Sequence, residues 1–589
     1  MDNNKAKTYD FNVLKKLLVF AKPYRGTFLL VTITSILTSV FAVARPYFVQ
    51  KAVDLGIIAK NADLLIQFIS LMLLVLVLEV LAQLTFIYFA NWLGQHVVKD
   101  IRTTLFKRMI AFRIKYFNDS AVGRLVTRAV NDIETISQIF SQGLFMIISD
   151  LLKMTIIIGF MLYKSWQLSL IVFSVLPVII IATRIFHKKM KKAFEQVRTE
   201  VSNLNTFVQE HLSGMKIVQL FAREETEYQK FKEINQKHKE GWVKTVWYNS
   251  IFFPISELCS SIVIGLLVWY GGLQGIMGST TITIGLLIAF IELAHMLFRP
   301  LRQISDKFNT LQMGMVAGNR VFSILETEDF LPQNPTATLS NVNGNITFEK
   351  VKFSYIEGEE VLKGISFEVK QGQTIAIVGA TGAGKSTIVN LLNRFYDIDS
   401  GTISIDGIDI KDLSLENLRT HIAVVLQDVF LFADTIQKNI TLGNTNITKE
   451  QVIEAAKEIG VHQFISQLPR KYEYNVKERS AMLSSGQRQL ISFLRAYVTN
   501  PSILVLDEAT SSVDSYTEQL IQKATEKITK NRTSIVIAHR LATIKNADLI
   551  LVMEKGKIVE RGNHKELLQK ENGYYKKLYE VQFSEVMNV

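Results

Sequence analysis

Cysteine is almost absent from this 589-residue sequence, since Cys259 is the only one. A single cysteine excludes an intrachain disulfide and carries no information about a metal site. The pattern of a cleavable signal peptide is also lacking, because Asp2–Lys22 is polar and charged. Phe11, Leu14 and Leu18 stand there at helical spacing, which leaves two interpretations open: an amphipathic helix on the inner membrane surface, or a solvated start with incidental apolar residues.

The chain is too long for one ordinary domain, and its apolar residues are unevenly distributed. Hydrophobic residues make up 48% of the sequence and cluster before about Pro300, so at least two folding units are expected. The net charge of +12 alone would suit nucleic acid. Many basic residues lie between apolar segments instead, which favours cytoplasmic loops near anionic lipid and predicts no nucleic-acid partner. Examples are Lys188, Lys189, Lys191 and Lys192.

Six stretches are apolar and long enough to cross a hydrocarbon layer of about 30 Å, which takes about 20 helical residues. Spans one and two, three and four, and five and six are joined by short segments, while the other two connections are long and charged. A soluble core could not easily hide so many apolar runs from water. The predicted spans are Thr27–Phe48, Leu64–Ala90, Ile139–Tyr163, Trp166–Ile185, Ser250–Tyr270 and Ile282–Phe298.

The charges of the connections predict how the spans are oriented. The short connections carry few basic residues, and Gly271–Thr281 carries none, whereas the first long one contains Arg102, Lys107 and Arg108. By the positive-inside tendency, the long connections and both termini face the cytoplasm of a multi-pass protein in the cell membrane. Apolar residues recur at helical spacing in both long connections, so the membrane helices are expected to continue into the cytoplasm.

Ionisable residues inside the spans are few, and each is costly to place in a membrane. Asp150 and Lys153 are three positions apart and are expected to neutralise each other on one helix face. Glu79 and Glu292 lie well inside apolar runs. Two interpretations of these glutamates are open: they line a substrate cavity, or they pair with other helices.

The long apolar runs end near Pro300. A polar stretch predicts a linker, and beyond it short β-rich runs alternate with helical stretches, which predicts an α/β sheet covered by helices. The predicted organisation is a membrane α-helical domain over residues 1–325, a linker over 326–345 and an α/β domain over 346–589. The predicted strands are Ile346–Phe353, Ile365–Val369, Thr374–Val378, Ile403–Ile405, Ala423–Leu426, Ile503–Leu506, Ser534–Ala538 and Leu549–Met553.

The strongest motif reads GATGAGKST and runs from Gly379 to Thr387. It follows a predicted strand and precedes a predicted helix, as a phosphate-binding loop requires. Glycines let backbone N–H groups curl around phosphates, and a helix N-terminus favours negative charge. We therefore predict a P-loop nucleotide-binding domain in which Lys385 reaches the β- and γ-phosphates of ATP and Ser386 ligates Mg²⁺. The other predicted ATP-binding residues of the loop are Gly379, Thr381, Gly382, Gly384 and Thr387.

An acidic pair follows a second predicted strand. The apolar run Ile503–Leu506 delivers Asp507 at the carboxyl end of that strand, where its carboxylate is expected to hold Mg²⁺ through water. Glu508 is then placed to polarise the attacking water. Phosphoryl transfer depends mostly on positioning and electrostatics, so the pair predicts ATP hydrolysis with Glu508 as the catalytic residue.

These motifs resemble the ATP-binding cassette (ABC) family, in an order and spacing that cover essentially the whole chain. Leu483–Gln487 is similar to the family signature LSGGQ, which in the family closes over ATP held by the opposite subunit. The resemblance assigns Gln427 to the catalytic residues, to the metal site and to the link between that site and the membrane domain. The implied signature residues are Ser484, Ser485, Gly486 and Gln487.

Three more residues match positions of the family. His539 matches the switch histidine, which contacts the γ-phosphate in catalysis. Asp514 belongs to a segment similar to the loop that communicates between the two ATP sites. Tyr355 matches the aromatic residue that stacks on adenine.

The membrane part resembles the exporter branch of the family. Tyr116–Asn118, Gly123–Leu125 and Arg128–Asp132 are similar to its first coupling segment, and Gly214–Phe221 is similar to its second. In the family, these short cytoplasmic helices press on the nucleotide domains, and the second reaches the domain of the other subunit. With one ATP module and six spans, the chain is expected to dimerise with a second half-transporter chain in the lipid bilayer.

Two positions depart from the family pattern. Ser485 replaces the first signature glycine, and Ser480 replaces a glycine expected just ahead of it. Glycine permits a close approach of backbone to phosphate, which a side chain would crowd. With Glu508 retained, the combination resembles one subunit of bacterial heterodimeric multidrug exporters, in which Glu508 would act against the signature of the partner. Neutral drift in a homodimer is the open alternative.

The resemblance implies ATP-driven export of amphiphilic small molecules, drugs or lipids, by alternating access. A homodimeric lipid flippase and a peptide exporter are the alternatives. Peptide exporters of this family often carry an N-terminal cysteine protease, which the position of Cys259 in span five argues against. The six spans exclude a soluble ATPase acting on DNA or ribosomes, and the fusion of membrane and ATPase parts argues against an importer.

Overall fold

The computed structural model describes residues 11–277, 282–330, 337–339, 342–477, 483–507, 515–538 and 541–583. The chain forms two compact units. The first comprises Met1–Ala111 and Ser120–Glu328, and the second comprises Phe112–Asp119 and Asp329–Val589. A short segment of the first long connection therefore clusters with the C-terminal part of the chain.

The first unit is helical, and six of its described helical rods are long and apolar enough to cross a membrane. This confirms the predicted membrane α-helical domain. Wide π-helical turns at Ala52–Ile58, Arg128–Asp132 and Ile139–Leu144 continue the rods. The helices from the N-terminus onwards are α1 (Phe11–Ala21), α2 (Arg25–Lys51), α3 (Ala62–Met109), α4 (Ile114–Asp119, in the second unit), α5 (Val122–Thr127), α6 (Ile133–Gln138), α7 (Phe145–Lys164), α8 (Trp166–Ser213), α9 (Met215–Leu220), α10 (Glu224–Ile276) and α11 (Ile284–Leu325).

The long helices extend well beyond the thickness of a bilayer, as predicted. Helix α8 has 48 residues, which corresponds to about 70 Å at 1.5 Å per residue, whereas the hydrocarbon layer is about 30 Å thick. The predicted span Trp166–Ile185 is only the first part of this helix. Three of these long helices start at a capping side chain, because Asn61, Ser165 and Thr283 each accept a hydrogen bond from the backbone N–H three residues later.

Apolar residues of the first unit fall into a buried set and an outward-facing set. Ile157 of α7, Val172 of α8, Val263 of α10 and Phe290 of α11 are fully buried together. By contrast, no residue in the most apolar stretch of α3 is buried. Such a continuous apolar face suits the lipid phase, where the helical backbone is satisfied internally.

The N-terminal segment forms the amphipathic helix α1, whose apolar side packs on other helices and not, as the first interpretation expected, on the inner membrane surface. Val13, Leu17 and Ala21 are buried on one side, and α1 packs on α3 and α11. At Gly318 of α11 a Cβ atom would lie 2.7 Å from the Val13 side chain. The apolar side of α1 is therefore covered by protein rather than by lipid.

The second unit contains an α/β domain, which confirms the predicted fold class. All predicted strands are present, and β5 and β10 are additional. The strands are β1 (Ile346–Ser354), β2 (Glu360–Val369), β3 (Thr374–Gly379), β4 (Ser400–Ile405), β5 (Ile408–Asp409), β6 (Ile422–Val425), β7 (Ile503–Asp507), β8 (Thr533–Ile537), β9 (Leu549–Glu554) and β10 (Lys557–Gly562).

Helices connect these strands and cover the larger sheet. The helices are α12 (Lys385–Leu392), α13 (Leu415–His421), α14 (Ile436–Thr441), α15 (Lys449–Glu458), α16 (His462–Gln467), α17 (Ser485–Val498), α18 (Ser515–Thr529), α19 (Leu541–Lys545), α20 (His564–Gln569) and α21 (Tyr574–Phe583).

The strands form an antiparallel sheet of order β2-β1-β4-β5 and a second sheet of order β10-β9-β3-β8-β7-β6. In the second sheet all neighbours are parallel except β9 and β10. Its central strands are apolar throughout, with every residue of β8 buried, as expected for strands covered on both faces. Ile388 and Leu391 of α12 pack towards Phe348 of the antiparallel sheet, while Leu490 of α17 and Ile521 of α18 belong to the other core.

Strand register places two predicted site segments at one edge. Strand β8 lies between β3 and β7. Ile377 of β3 and Asp507 of β7 are both paired with Ile537 of β8. Adjacent strands are about 4.8 Å apart, so the carboxyl ends of β3 and β7 meet at the same edge of the sheet, where β3 leads into the motif 379–387.

Candidate nucleotide site

The motif 379–387 forms a tight loop between β3 and α12. Gly384 immediately precedes α12 and has φ +98°. A side chain rarely adopts this conformation, and a Cβ atom at Gly384 would lie 2.9 Å from Leu362. Glycine is thus required for the helix to begin at Lys385, and the free N–H groups of its first turn favour an anion at this place.

Lys385 folds back into the loop. Its Nζ atom donates hydrogen bonds to the carbonyl oxygens of Gly379 at 2.8 Å and Ala380 at 3.0 Å, and the residue is 8% exposed. Burial lowers the pKa of Lys385, while the nearby Asp507 carboxylate raises it. A phosphate placed in this loop would favour the charged ammonium and offset the cost of burying it.

The other loop residues divide into exposed and buried groups. Thr381, Gly382 and Ser386 are exposed, so their polar groups are open to a ligand. Thr387 is buried, and its Oγ1 atom accepts a hydrogen bond from the Tyr355 hydroxyl at 3.3 Å. The loop therefore offers Ser386 to a ligand and uses Thr387 to hold a neighbouring side chain.

Two further predicted residues lie at the same sheet edge. Asp507 is the last residue of β7, and Gln427 follows the end of β6 by two residues. Because Val425 of β6 is paired with Leu506 of β7, both side chains belong to adjacent strand ends. Gln427 is exposed. The topology thus brings Lys385, Asp507 and Gln427 towards one place.

The donor atoms at this edge fit Mg²⁺. Ser386 supplies a hydroxyl oxygen, Gln427 an amide oxygen and Asp507 a carboxylate, all of them the hard oxygen ligands that this cation prefers. Within the described ranges no cluster of three or more His, Cys, Asp or Glu side chains could hold a metal. A site with few protein ligands is typical of Mg²⁺ that is held largely by nucleotide phosphates.

Tyr355 sits in an aromatic cluster beside the loop. Besides its bond to Thr387, its hydroxyl accepts a hydrogen bond from Asn390 Nδ2 at 3.1 Å. Its ring lies edge-on to Phe353 and Tyr396, with centroids 4.8 and 5.1 Å away. Tyr355 is 37% exposed, which leaves part of the ring open to a base. The sequence pattern gave no signal for Asn390 or Tyr396.

The signature segment starts a helix. Ser484 Oγ accepts a hydrogen bond from the Gln487 N–H at 3.2 Å, and Gln487 Oε1 accepts one from the Ser484 N–H at 3.0 Å. This reciprocal capping box fixes the first turn of α17. Ser485 is half-buried and Gly486 is buried. Glu508, Asp514, His539 and Ser480 lie outside the described residues.

A cavity of about 180 Å³ lies within the first unit. Glu79 of α3 lines it, together with Asp150 and Lys153 of α7 and Lys307 of α11. The Oε2 atom of Glu79 is buried and has no hydrogen-bond partner among the described residues. Apolar side chains and hydroxyl groups complete the wall, among them Thr38, Ser149, Phe86, Ile87 and Met146.

One expectation for the membrane charges changes. Asp150 forms its ion pair with Lys307 of α11 rather than with Lys153, because the packing of α7 on α11 supplies a partner from another helix. Glu292 also has a buried Oε2 atom without a hydrogen-bond partner in the described part of the chain. It is not among the residues that line the cavity around Glu79.

Comparison with known protein families follows the division seen in the fold. Residues 28–301 match the ABC transporter transmembrane region, and residues 362–511 match the ABC transporter family of ATP-binding domains. The chain belongs to the ABC transporter family. It is an ABC exporter, an ATPase that couples ATP binding and hydrolysis to transport, and as such acts as a dimer. It is a multi-pass membrane protein with its nucleotide-binding domain on the cytoplasmic side.

Several relatives are similar over nearly their whole length. The uncharacterized ABC transporter ATP-binding protein YknV of Bacillus subtilis (strain 168) is 38% identical over 98% of this chain and 96% of its own. An ATP-dependent lipid A-core flippase of Syntrophus aciditrophicus is 34% identical, over 98% and 95%. The putative multidrug export ATP-binding/permease protein YgaD of B. subtilis is 33% identical, over 97% and 99%.

Proposed function

We propose that this exporter moves amphiphilic small molecules, drugs or lipids, out of the cytoplasm by alternating access, as one half of a heterodimer. The observation that carries the choice of substrate is the cavity around Glu79, whose wall combines charged, hydroxyl and apolar side chains. A site of this composition suits a molecule with one polar and one apolar end. Relatives named for multidrug export and for lipid A-core flipping agree with this class.

The proposed engine is the sheet edge beside the phosphate loop. Lys385 and the first turn of α12 bind the phosphates with the loop residues Gly379, Thr381, Gly382 and Gly384, and Tyr355 stacks on the adenine. Ser386, Gln427 and Asp507 would hold Mg²⁺, which neutralises charge on the phosphates. Glu508 polarises the attacking water and His539 contacts the γ-phosphate, with Asp514 linking the two sites. The support is that β3, which leads into the loop of Lys385, and β7 and β6, which lead to Asp507 and Gln427, all end at the same edge of one sheet.

The cycle follows from linkage between nucleotide and conformation. ATP binds the closed pair of nucleotide domains better than the open pair, so ATP shifts the dimer towards closure. The rod-like helices carry closure to the membrane cavity, which then opens outward. Hydrolysis removes the γ-phosphate contacts and resets the dimer.

A second surface supports the dimer. Helix α9 joins α8 to α10 and exposes the apolar side chains of Ile217 and Leu220, and Phe221, which directly follows α9, is exposed as well; each is more than half accessible. Exposed apolar clusters of this kind mark contact sites. We propose that α9 is the second coupling segment and packs on the nucleotide domain of the other subunit.

The heterodimer rests on Ser485. Its side chain replaces hydrogen at a signature position where, in the family, the backbone closes over the γ-phosphate. The capping box of Ser484 and Gln487 fixes the turn that carries it, so the backbone has little freedom to withdraw. We propose that this signature closes a weakly hydrolysing site, while Glu508 acts at the other site against the signature of the partner.

The purified chain without a partner is therefore expected to hydrolyse ATP slowly, about 10²-fold below the heterodimer, since a misplaced backbone donor weakens transition-state binding by about that factor. Phosphate release in proteoliposomes measures it. Ser485→Gly is expected to raise the rate of the single chain. Ser485→Ala keeps the Cβ atom and serves as the matched control, which stays slow. Rapid ATP hydrolysis by the unmodified chain alone would contradict the proposed heterodimer.

A second prediction concerns the cavity. Glu79→Gln removes a carboxylate whose buried Oε2 atom has no hydrogen-bond partner among the described residues, so a cationic substrate loses a charged contact. The ethidium concentration for half-maximal transport should rise about 10-fold, as expected for a hydrogen bond to a charged group. Uptake into inside-out vesicles measures this value. Glu292→Gln is the matched comparison, and an equal shift in both variants would contradict a specific role for the Glu79 cavity.

A further inference from the structure

The segment Phe112–Asp119 is part of the second unit and is held by several contacts to the rest of that unit. Arg113 Nη1 lies 3.2 Å from Asp397 Oδ2. Its Nε atom donates to the carbonyl of Phe330 at 2.9 Å, and its backbone N–H donates to the carbonyl of Asp329 at 3.1 Å. The ring of Phe112 lies 5.2 Å from that of Phe330. These contacts explain why α4 clusters with the nucleotide-binding domain.

Helix α4 makes a second contact one residue away from Asp397. Asn118 Nδ2 donates a hydrogen bond to the Tyr396 hydroxyl at 2.6 Å. Burial raises the pKa of Tyr396, although the bond from Asn118 lowers it, so the hydroxyl is neutral at physiological pH and accepts this bond. Tyr396 is half-buried, whereas Asn118 is exposed.

Tyr396 in turn touches the residue expected to bind adenine. The rings of Tyr396 and Tyr355 stand at 89° with centroids 5.1 Å apart, the edge-to-face geometry that aromatic pairs favour. The Tyr355 hydroxyl is fixed at its far end by Thr387 and Asn390 of α12. A continuous series of contacts thus runs from Asn118 through Tyr396 and Tyr355 to the phosphate-loop helix.

We propose that Asn118 and Tyr396 are positioning residues that hold Tyr355 for the nucleotide base and thereby report base binding to α4. The proposal rests on the proposed stacking role of Tyr355 and goes beyond it, because it assigns to α4 a part in holding the side chain that receives the base. The hydroxyl of Tyr355 is already held by α12, so its ring orientation depends on what supports the ring edge. Phe353 and Tyr396 both supply that support, and Tyr396 is in turn held by Asn118 of α4.

Reciprocity makes the link measurable from either end. If base binding affects the Asn118–Tyr396 contact, loss of that contact must weaken base binding by the same factor. If the contacts of α4 only anchored the helix, ATP affinity would not depend on Asn118, since Arg113 and Asp397 would hold α4 whether or not Asn118 bonded to Tyr396. The base and the phosphates can be separated experimentally, because tripolyphosphate occupies a phosphate loop without presenting a base.

The test compares dissociation constants for ATP and for tripolyphosphate on the dimer, measured calorimetrically. Asn118→Leu and Tyr396→Phe are each expected to weaken ATP binding about three- to tenfold, the effect of one hydrogen bond, and the double variant no further. Tripolyphosphate affinity should not change. Asn118→Asp should rescue ATP affinity, since the Tyr396 hydroxyl can donate to the new carboxylate. Lys115→Ala, an exposed change on the same helix, is the matched control.

The amount of substrate transported per ATP hydrolysed gives a second readout. It should fall in Asn118→Leu, whereas a purely structural role of Asn118 would leave it unchanged. Unchanged ATP affinity, or an equal loss of tripolyphosphate affinity, would overturn the proposal. Tyr355→Ala separates the stacking role of Tyr355 from its link to α4. If Tyr355→Ala leaves ATP affinity intact, the stacking role itself fails. If Tyr355→Ala weakens ATP binding and Asn118→Leu does not, only the link to α4 fails.

Discussion

Glu508→Gln is expected to hydrolyse ATP about 10²- to 10⁴-fold more slowly than the unmodified protein, the usual effect of losing a general base. ATP binding should remain, because glutamine has nearly the same shape and Lys385 still carries the positive charge in the phosphate loop. With binding intact and turnover blocked, the closed dimer should accumulate with ATP in place. Phosphate release and equilibrium ATP binding on the same preparation measure the two effects.

The matched control for Glu508→Gln is Glu416→Gln, an identical change at an exposed position in the first turn of α13, which should leave both quantities unchanged. Unaltered hydrolysis in Glu508→Gln would contradict the catalytic role. A loss of ATP binding would instead mean that Glu508 holds the nucleotide rather than the water. In a heterodimer, one substitution should silence most of the turnover, because the second site hydrolyses weakly.

The phosphate loop could be predicted from sequence because its determinants are local. Glycines at fixed positions, a lysine and a following helix define the loop without reference to distant residues, and the observed φ of Gly384 shows why glycine is needed there. The position of Asp507 near the phosphate loop could also be predicted, although it depends on the strand arrangement of the whole sheet. Buried apolar strands prefer parallel sheets covered by helices, and parallel strands end at one edge.

Tertiary contacts account for what the sequence could not predict. Asp150 has Lys153 three positions away, yet pairs with Lys307 on another helix, since helix packing rather than spacing decides which side chain is nearest. Tyr396 follows the phosphate-loop helix without any motif, and only the fold places it between Asn118 and Tyr355. Strand β10 escaped prediction because charged residues interrupt its apolar pattern at the edge of the sheet.

Lys385→Ala is expected to weaken ATP binding about 10- to 100-fold, the range for losing a hydrogen bond to a charged group, and to stop transport at ordinary ATP concentrations. The physical reason is that the Lys385 ammonium occupies the centre of the loop, held by two carbonyl oxygens. Burial lowers its pKa while Asp507 raises it, so an arriving phosphate restores favourable charge pairing that alanine cannot provide. Lys385→Arg keeps the charge but brings a larger planar group into a tight loop, and should bind ATP poorly as well.

Ligand-dependent stability separates lost binding from lost folding in Lys385→Ala. Saturation at 100 times the dissociation constant stabilises a folded protein by about 2.7 kcal/mol, so MgATP should raise the unfolding temperature of the unmodified protein and hardly affect that of the variant. Without nucleotide the two should unfold at similar temperatures, because the carbonyls of Gly379 and Ala380 that lose the ammonium lie at a loop open to water through exposed Thr381 and Gly382. Equal stabilisation of both proteins by MgATP would mean that the loop 379–387 does not bind the nucleotide, and the proposed engine would fail with it.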